Sequence, residues 1–202
     1  MTTPEQCSGV LILVVGPSGA GKDTLIEAAK RHFAGDNRFS FPERIITRTD
    51  QEGEAHIAVS PEDFNDLEAK DAFFLSWSAH ETSYGIPAAI MSDLDVGKLV
   101  VVNVSRGVIE AAGKKWPDLR VVNVWAAPSV LRERLVARGR ESGASIDERL
   151  QQRALLPRDV SVDEIENSGN RETAIARFVQ LLEVYATAAQ AEDAAQQASR
   201  DV

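Results

Sequence analysis

The sequence feature that most limits the fold is a short apolar segment that runs directly into a glycine-rich loop. Val10–Val15 is apolar at every position and rich in β-branched residues, which is typical of a strand buried on both faces. The segment Gly16-Pro-Ser-Gly-Ala-Gly-Lys22 follows at once with the spacing G-x-x-x-x-G-K, and a helical pattern then covers about 21–33. This strand, loop and helix predict one unit of a parallel sheet covered by helices.

The loop also has the chemistry of a phosphate site. Its glycines let successive backbone N–H groups converge on phosphate oxygens, the helix N-terminus adds partial positive charge, and Lys22 adds a full charge. The alternative is a glycine-rich turn that only reverses the chain. The predicted nucleotide-binding residues are Gly16, Pro17, Ser18, Gly19, Ala20, Gly21, Lys22, Asp23 and Thr24.

One position departs from this motif. Asp23 follows Lys22 where the motif has a Ser or Thr that contacts Mg²⁺, and Thr24 comes next. The Asp23 carboxylate could bind the ion or its waters, or only stabilise the helix dipole, and the sequence leaves both readings open. Asp23 and Thr24 are therefore the candidate metal ligands.

Along the rest of the chain, apolar strands alternate with helices. The clearest strands are Leu99–Asn103 and Leu119–Trp125, and this alternation predicts a three-layer α/β fold of the P-loop NTPase type with a parallel central sheet. Residues 44–84 break the alternation and predict a small inserted acceptor-binding lobe, followed by a turn at 83–87. We expect a single domain over 1–189, a closing helix that ends near Ala189, and a C-terminal tail over 190–202.

Arginines cluster on the helix that Pro128 opens and in the segment after it. Arg134 and Arg138 are four residues apart, share a helical face, and precede glycines at 139 and 143. This pattern predicts an Arg-rich lid over about 132–153 that closes on a transferring phosphoryl group, where guanidinium groups meet the developing charge. The alternative is a solvated helix with Arg–Glu pairs.

Composition excludes several other kinds of partner. The chain has 22 Lys+Arg against 31 Asp+Glu, a formal net charge of −9, so bulk charge argues against nucleic acid and against an anionic membrane surface. Its apolar runs are too short to cross a bilayer, and the N-terminus lacks a signal-peptide pattern. The single cysteine, Cys7, cannot form an internal disulfide, so we expect a cytoplasmic protein.

Several segments match guanylate kinases in order and spacing. They are Gly16–Lys22, Thr47-Arg48, Gly53-Glu54, Tyr84-Gly85, Ala127–Ser129, Ala137–Gly139 and Ile146–Leu150. Over nearly its whole length, the chain resembles this family of small-molecule P-loop kinases. The resemblance implies that Arg48 and Tyr84 bind the phosphate of the acceptor, and that Arg138 and Arg149 act with Lys22 as catalytic residues on the transferring phosphoryl group.

The departures from guanylate kinases are as informative as the matches. Gln51 stands where that family has a second arginine, Ser76 stands where it has a guanine-reading Glu, and Asn103 replaces an acidic strand end. A site that discriminates guanine must pair its N–H edge, so the loss of the carboxylate removes that selectivity. We therefore expect that GMP is not the acceptor.

The particular combination of letters resembles a second family, the ribose 1,5-bisphosphate phosphokinases of phosphonate utilisation. The residues that carry this resemblance are Gly21–Thr24, Glu54–Ser60, Leu75–His80, Tyr84–Pro87, Val102–Arg106 and Arg138–Glu141. The resemblance implies ATP-dependent phosphorylation of ribose 1,5-bisphosphate to 5-phosphoribosyl 1-diphosphate, with ATP and Mg²⁺ bound. Two alternatives stay open: a nucleoside monophosphate kinase with relaxed base recognition, and a non-catalytic binding module.

A small sugar that carries two phosphates needs basic groups at both ends. Arg48 and Arg106 are the candidates, since in-line transfer to a phosphate oxygen depends on positioning and charge rather than on a strong base. The candidate hydrogen-bonding partners of the substrate are Ser76, His80, Tyr84 and His56, although His56 could instead be a strand residue that points into solvent. The Ala-rich closing helix is a candidate homodimer contact.

Overall fold

The computed structural model describes residues 9–48, 55–79, 81–138 and 160–200. The strands are β1 Val10–Val15, β2 Phe39–Ser40, β3 Arg44–Ile46, β4 His56–Ala58, β5 Phe73–Ala79, β6 Thr82–Pro87, β7 Leu99–Asn103, β8 Leu119–Trp125 and β9 Val162–Glu166. The helices are α1 Lys22–His32, α2 Pro61–Ala69, α3 Ile90–Asp95, α4 Ile109–Lys115, α5 Pro128–Arg138 and α6 Arg171–Arg200, and a 3₁₀ turn covers Arg106–Val108.

The central sheet is parallel throughout and has the strand order β2-β7-β1-β8-β9. Its register places Val14 beside Asn103, Val15 beside Asn123, and Asn123 beside Glu164. The carboxyl ends of the strands therefore meet at one edge of the sheet, which is where open α/β sheets bind their ligands. The predicted α/β fold with a parallel central sheet is confirmed.

Both faces of the central sheet are buried, which explains why β1 is apolar at every position. On one face, strand residues such as Ile12 pack against Leu25 of α1 and Phe178 of α6. On the other face, strand residues such as Leu13 pack against Leu94 of α3 and other apolar residues of α3, α4 and the small sheet. The chain thus forms a helix layer, a sheet layer and a second helix layer.

A second, four-stranded sheet with the order β4-β3-β6-β5 forms the predicted inserted lobe. The turn predicted over 83–87 is wrong, because β6 is a strand that pairs antiparallel with both β3 and β5. Its Gly85 lets the Phe73 ring lie on the backbone, since an added Cβ would be 2.4 Å from that ring. The lobe joins the main core through Leu75 and Ile86.

The closing helix α6 extends well past its predicted end near Ala189 and continues to Arg200. It lies against α1 and β9, where the Tyr185 hydroxyl donates a hydrogen bond to Asp163. The predicted tail is therefore mostly helical up to Arg200. Most of the predicted lid, 139–153, lies outside the described residues, and the division into domains stays a prediction.

Candidate active site

The phosphate loop follows β1 at the carboxyl edge of the central sheet. Three of its glycines adopt positive φ angles: +146° at Gly16, +82° at Gly19 and +90° at Gly21, values that L-residues rarely adopt. At Gly16 space is also lacking, because an added Cβ would lie 2.0 Å from the backbone oxygen of Val124. The glycine spacing read from the sequence is thus required by the path of the backbone.

Lys22 opens α1, and its side chain folds back over the loop. Its Nζ donates hydrogen bonds to the backbone oxygen of Gly16 at 2.9 Å and to that of Pro17 at 3.1 Å. The backbone carbonyl oxygens therefore hold the positive charge over the loop. This placement fits the predicted role of Lys22 toward the terminal phosphates of a nucleotide.

Two side chains from other elements brace the loop from behind. Arg134 of α5 donates to the backbone oxygen of Gly19 at 3.2 Å and to that of Asn167 at 2.9 Å. Asn167, buried after β9, donates through Nδ2 to the backbone oxygen of Ala20 at 2.8 Å. Arg134 therefore supports the loop instead of belonging to the lid, and Asn167 is a site residue that the sequence reading missed.

Asp23 lies between the phosphate loop and the end of β7. Its Oδ1 accepts a hydrogen bond of 2.5 Å from Asn103 Nδ2 and forms an ion pair of 3.4 Å with Arg44. Thr24 is exposed on α1. Among the described residues, no three His, Cys, Asp or Glu side chains are grouped to hold a metal ion by themselves.

The oxygens at this point nevertheless suit Mg²⁺, which usually takes one or two protein oxygens together with substrate phosphates and water. Asp23 contributes a carboxylate beside the loop. Asn103 is 7 % exposed, and its Oδ1 accepts no hydrogen bond from any described residue. A buried acceptor in this state is the kind of atom that a metal-bound water satisfies.

The inserted lobe presents a row of stacked groups toward the loop. The Arg44 guanidinium lies over the Tyr84 ring at 5.6 Å from its centroid, and Tyr84 stacks on Trp77 at 5.3 Å with 7° between the ring planes. Arg48 follows the same strand as Arg44. The sequence reading named Tyr84 and Arg48 but missed Arg44, which pairs with Asp23 beside the loop.

His56 is buried, with 5 % of its surface exposed, so the reading as a solvent-facing strand residue is wrong. Its Nε2 lies 2.9 Å from the backbone oxygen of Arg48. The imidazole therefore fixes the backbone that carries Arg48. Because Nε2 contacts the backbone of Arg48, His56 acts on the site by positioning Arg48.

The comparisons with known proteins agree with this geometry. No family model matches the chain. A ribose 1,5-bisphosphate phosphokinase PhnN from Agrobacterium fabrum is 44 % identical over 182 residues, which are 89 % of this chain and 100 % of that protein. The chain belongs to the PhnN family. A PhnN protein from Acidiphilium cryptum is 47 % identical over 87 % of this chain and 93 % of its own length.

PhnN-family membership confirms the resemblance that the sequence motifs carried. The fold comparison agrees, because a guanylate kinase from Anaplasma phagocytophilum superposes with a TM-score of 0.61 over 88 % of this chain and 86 % of its own. At 17 % identity that likeness bears on the fold alone. Among the described helices, none combines the length and apolar character needed to cross a membrane.

The remaining predicted residues of this PhnN-family chain do not all converge. Ser76 faces α2, where its hydroxyl donates to Glu68 Oε1 at 2.6 Å, whereas its neighbour Trp77 faces Tyr84 on the opposite side of β5. The structure therefore does not bring Ser76 to Tyr84. The side chains of Arg138, Arg149 and His80 lie outside the part of the chain that the structure describes.

Arg106 lies after β7 and belongs to a hydrogen-bond network at the carboxyl edge of the central sheet. It donates to Asn123 Oδ1 at 3.2 Å, and Asn123 donates in turn to both carboxylate oxygens of Glu164, at 3.1 and 2.9 Å. Burial lowers the pKa of Arg106, and the charge of Glu164 partly offsets that effect. Its Nε is buried and has no hydrogen-bond partner among the described residues.

Proposed function

We propose that the chain transfers the γ-phosphoryl group of ATP to ribose 1,5-bisphosphate, giving 5-phosphoribosyl 1-diphosphate and ADP. The observation that carries this proposal is the match, at 44 % identity, to the whole length of a relative named ribose 1,5-bisphosphate phosphokinase. The geometry agrees with it, because a phosphate loop faces a lobe that supplies Arg44, Arg48 and Tyr84. Both halves of the site are built for anions.

The reaction needs no strong base. An oxygen of the phosphate on C1 of the sugar attacks the γ-phosphorus of ATP, and the bond from that phosphorus to the β,γ-bridging oxygen breaks. The bond electrons leave with ADP, so the new diphosphate forms with no proton removed from a hydroxyl group. Positioning and neutralisation of charge supply the catalysis.

The donor side is formed by the phosphate loop. Its backbone N–H groups and the N-terminus of α1 hold the phosphates of ATP, and Lys22 moves from the carbonyl oxygens of Gly16 and Pro17 to the β- and γ-phosphate oxygens. Arg134 and Asn167 keep the loop in shape from behind. Arg138 and Arg149 are proposed to meet the charge that develops on the transferring group.

The acceptor side is formed by Arg48, Tyr84 and Arg106. The first two follow or lie in the strands of the inserted lobe, and Arg106 lies at the end of β7. Asp23 and Asn103 would hold Mg²⁺, directly or through water, and the ion would neutralise phosphate charge when bound. Ser76, at the position of the guanine-reading Glu, bonds Glu68 on α2, so it does not read a guanine edge on the Tyr84 side of β5.

A coupled assay of ADP release tests this proposal, with ribose 1,5-bisphosphate and GMP as competing acceptors. We expect turnover with the sugar bisphosphate, and phosphorus NMR should then show the paired signals of a new diphosphate. Turnover of GMP without turnover of ribose 1,5-bisphosphate would overturn the proposal. Lys22→Ala, which should fold normally, serves as the control for a contaminating kinase.

A further inference from the structure

Arg44 of the inserted lobe donates a hydrogen bond from its guanidinium to Asp23, at the α1 end of the phosphate loop. Its two terminal nitrogens divide their contacts, one lying 3.4 Å from Asp23 Oδ1 and the other donating to the backbone oxygen of Asn103 at 3.3 Å. Only 11 % of the side chain is exposed. Since desolvating a guanidinium is costly in free energy, the placement needs a reason beyond filling space.

Aromatic stacking fixes the orientation of this guanidinium. Arg44 lies over Tyr84, which in turn stacks on Trp77, and Trp77 packs on the apolar core. A ring on one side and a carboxylate on the other leave the group little freedom to rotate. The protein itself therefore holds the planar fork in place, which lowers the entropy lost on binding.

The hydrogen bonds from Arg44 to Asn103 and Asp23 are nonetheless long. Charge-assisted N–H···O bonds are usually about 2.7–2.9 Å, whereas these two are 3.3 and 3.4 Å. Arg38 offers a contrast within the same chain, because it too lies over an aromatic ring but reaches Asp36 at 2.7 Å. The Arg38 pair is closed, whereas the longer contacts of Arg44 orient its guanidinium and still allow it to bond a phosphate oxygen.

Resting on the proposed function, we propose that Arg44 binds the reacting phosphate of the acceptor and that Asp23 positions it. Two anions must approach each other for the transfer, and a cation between them offsets their repulsion. Arg44 lies between the loop that holds the donor and Tyr84, which belongs to the acceptor side. Orienting Arg44 is thus a role for Asp23 that the usual Ser or Thr at this position would not perform.

Calorimetric titration of ribose 1,5-bisphosphate into the nucleotide-free protein tests this role without turnover. Arg44→Gln should raise the Kd and the KM for the acceptor about tenfold or more, while the KM for ATP stays within about twofold. Arg38→Gln is the matched control, because it removes the same group from an ion pair and a ring contact. Arg38 adjoins the start of β7, ~13 Å along that strand from Asn103 at ~3.3 Å per residue.

The variants also separate the role of Arg44 from that of Asp23. In the same nucleotide-free titration without Mg²⁺, where loss of the proposed metal ligand does not contribute, Asp23→Asn should weaken acceptor binding in the wild-type background. It should add little to Arg44→Gln, since both changes then remove one interaction. Arg44→Lys keeps the charge without the fork, so it should bind the acceptor with an intermediate Kd and decides the matter if Arg44→Gln is unstable.

An acceptor Kd within about twofold of wild type in Arg44→Gln, or in Arg44→Lys if only that variant folds, would overturn the role of Arg44. A loss of ATP affinity as large as the loss of acceptor affinity would also overturn it, because Arg44 would then belong to the donor side. Failure of the wild-type protein to use ribose 1,5-bisphosphate overturns the proposed function as well. Normal wild-type turnover with unchanged acceptor binding in the variants overturns this inference alone.

Discussion

Replacement of Gly21 by alanine probes how strictly the phosphate loop is built. Gly21 caps α1 in a left-handed conformation, with φ of +90° and ψ of +20°. A Cβ at this position would lie 2.4 Å from Nδ2 of Asn167. Asn167 cannot move away without loss, because the same nitrogen donates to the buried backbone oxygen of Ala20.

The destabilisation therefore has two parts. Placing an L-residue in the left-handed region costs about 1–2 kcal/mol. Displacing Asn167 leaves the carbonyl of Ala20 buried without its partner, which costs about 1–3 kcal/mol more. Together, Gly21→Ala should lower the free energy of unfolding by about 2–5 kcal/mol.

Gly35 supplies a matched control, because its φ is +87° and an added Cβ would meet nothing within 4 Å. Gly35→Ala should therefore show only the backbone strain, about 1–2 kcal/mol. Urea unfolding of both variants measures the difference, with equal slopes as the check that the unfolding transition is comparable. In the background of Asn167→Ala, the extra loss in Gly21→Ala should disappear.

Equal losses in Gly21→Ala and Gly35→Ala would refute this reasoning. That result would mean that the side chain of Asn167 gives way at no cost and does not brace the loop. A persistent extra loss in the Asn167→Ala background would locate the strain elsewhere and would also contradict the account.

The remaining predictions concern catalysis, substrate binding and pH. Lys22→Ala should lower kcat about 10²–10³-fold by removing one charged contact to the transferring group, with an unchanged circular dichroism spectrum. Tyr84→Phe should raise the acceptor KM about 5–10-fold at an unchanged unfolding midpoint, since it removes only the hydroxyl; an unchanged KM would rule out that contact. Hydrogen bonds from Lys98 and then Ser40 hold the pKa of Asp93 below its ordinary 3.8. Asp93→Asn should therefore lower the stability by its full amount above pH 3.8, and the difference from wild type should vanish as the pH falls through the lowered pKa. Thermal unfolding of both proteins from about pH 6 to about pH 3 measures this difference.

The central sheet and the phosphate loop could be predicted because their causes are local. Val10–Val15 is apolar at every position since helices cover both faces of the sheet, and the loop glycines are needed for the path of the backbone. The N-cap of α2 is equally local, because Ser60 directly precedes Pro61 and its hydroxyl accepts the N–H of Asp63 at 3.0 Å. Each of these signals is complete within a few residues.

The parts that could not be predicted depend on residues far apart in the chain. β6 contains Gly85 and Pro87, which favour a turn until the Phe73 ring that covers Gly85 is known. The sequence around Arg44 shows only a strand residue, because its place in the site depends on contacts with Asp23, 21 positions earlier, and with Tyr84 in another strand. Pairing across strands decides both outcomes, and a single sequence does not state which strands pair.

The resting position of Lys22 also bears on which nucleotides the loop accepts. Its ammonium group donates to the carbonyl oxygens of Gly16 and Pro17, so a phosphate that binds Lys22 has to take the place of these partners. In the proposed reaction the β-phosphate oxygens of ATP and ADP would do so, and we expect AMP and adenosine, which have no β-phosphate, to leave these bonds in place. We therefore expect the loop to prefer nucleoside di- and triphosphates to monophosphates.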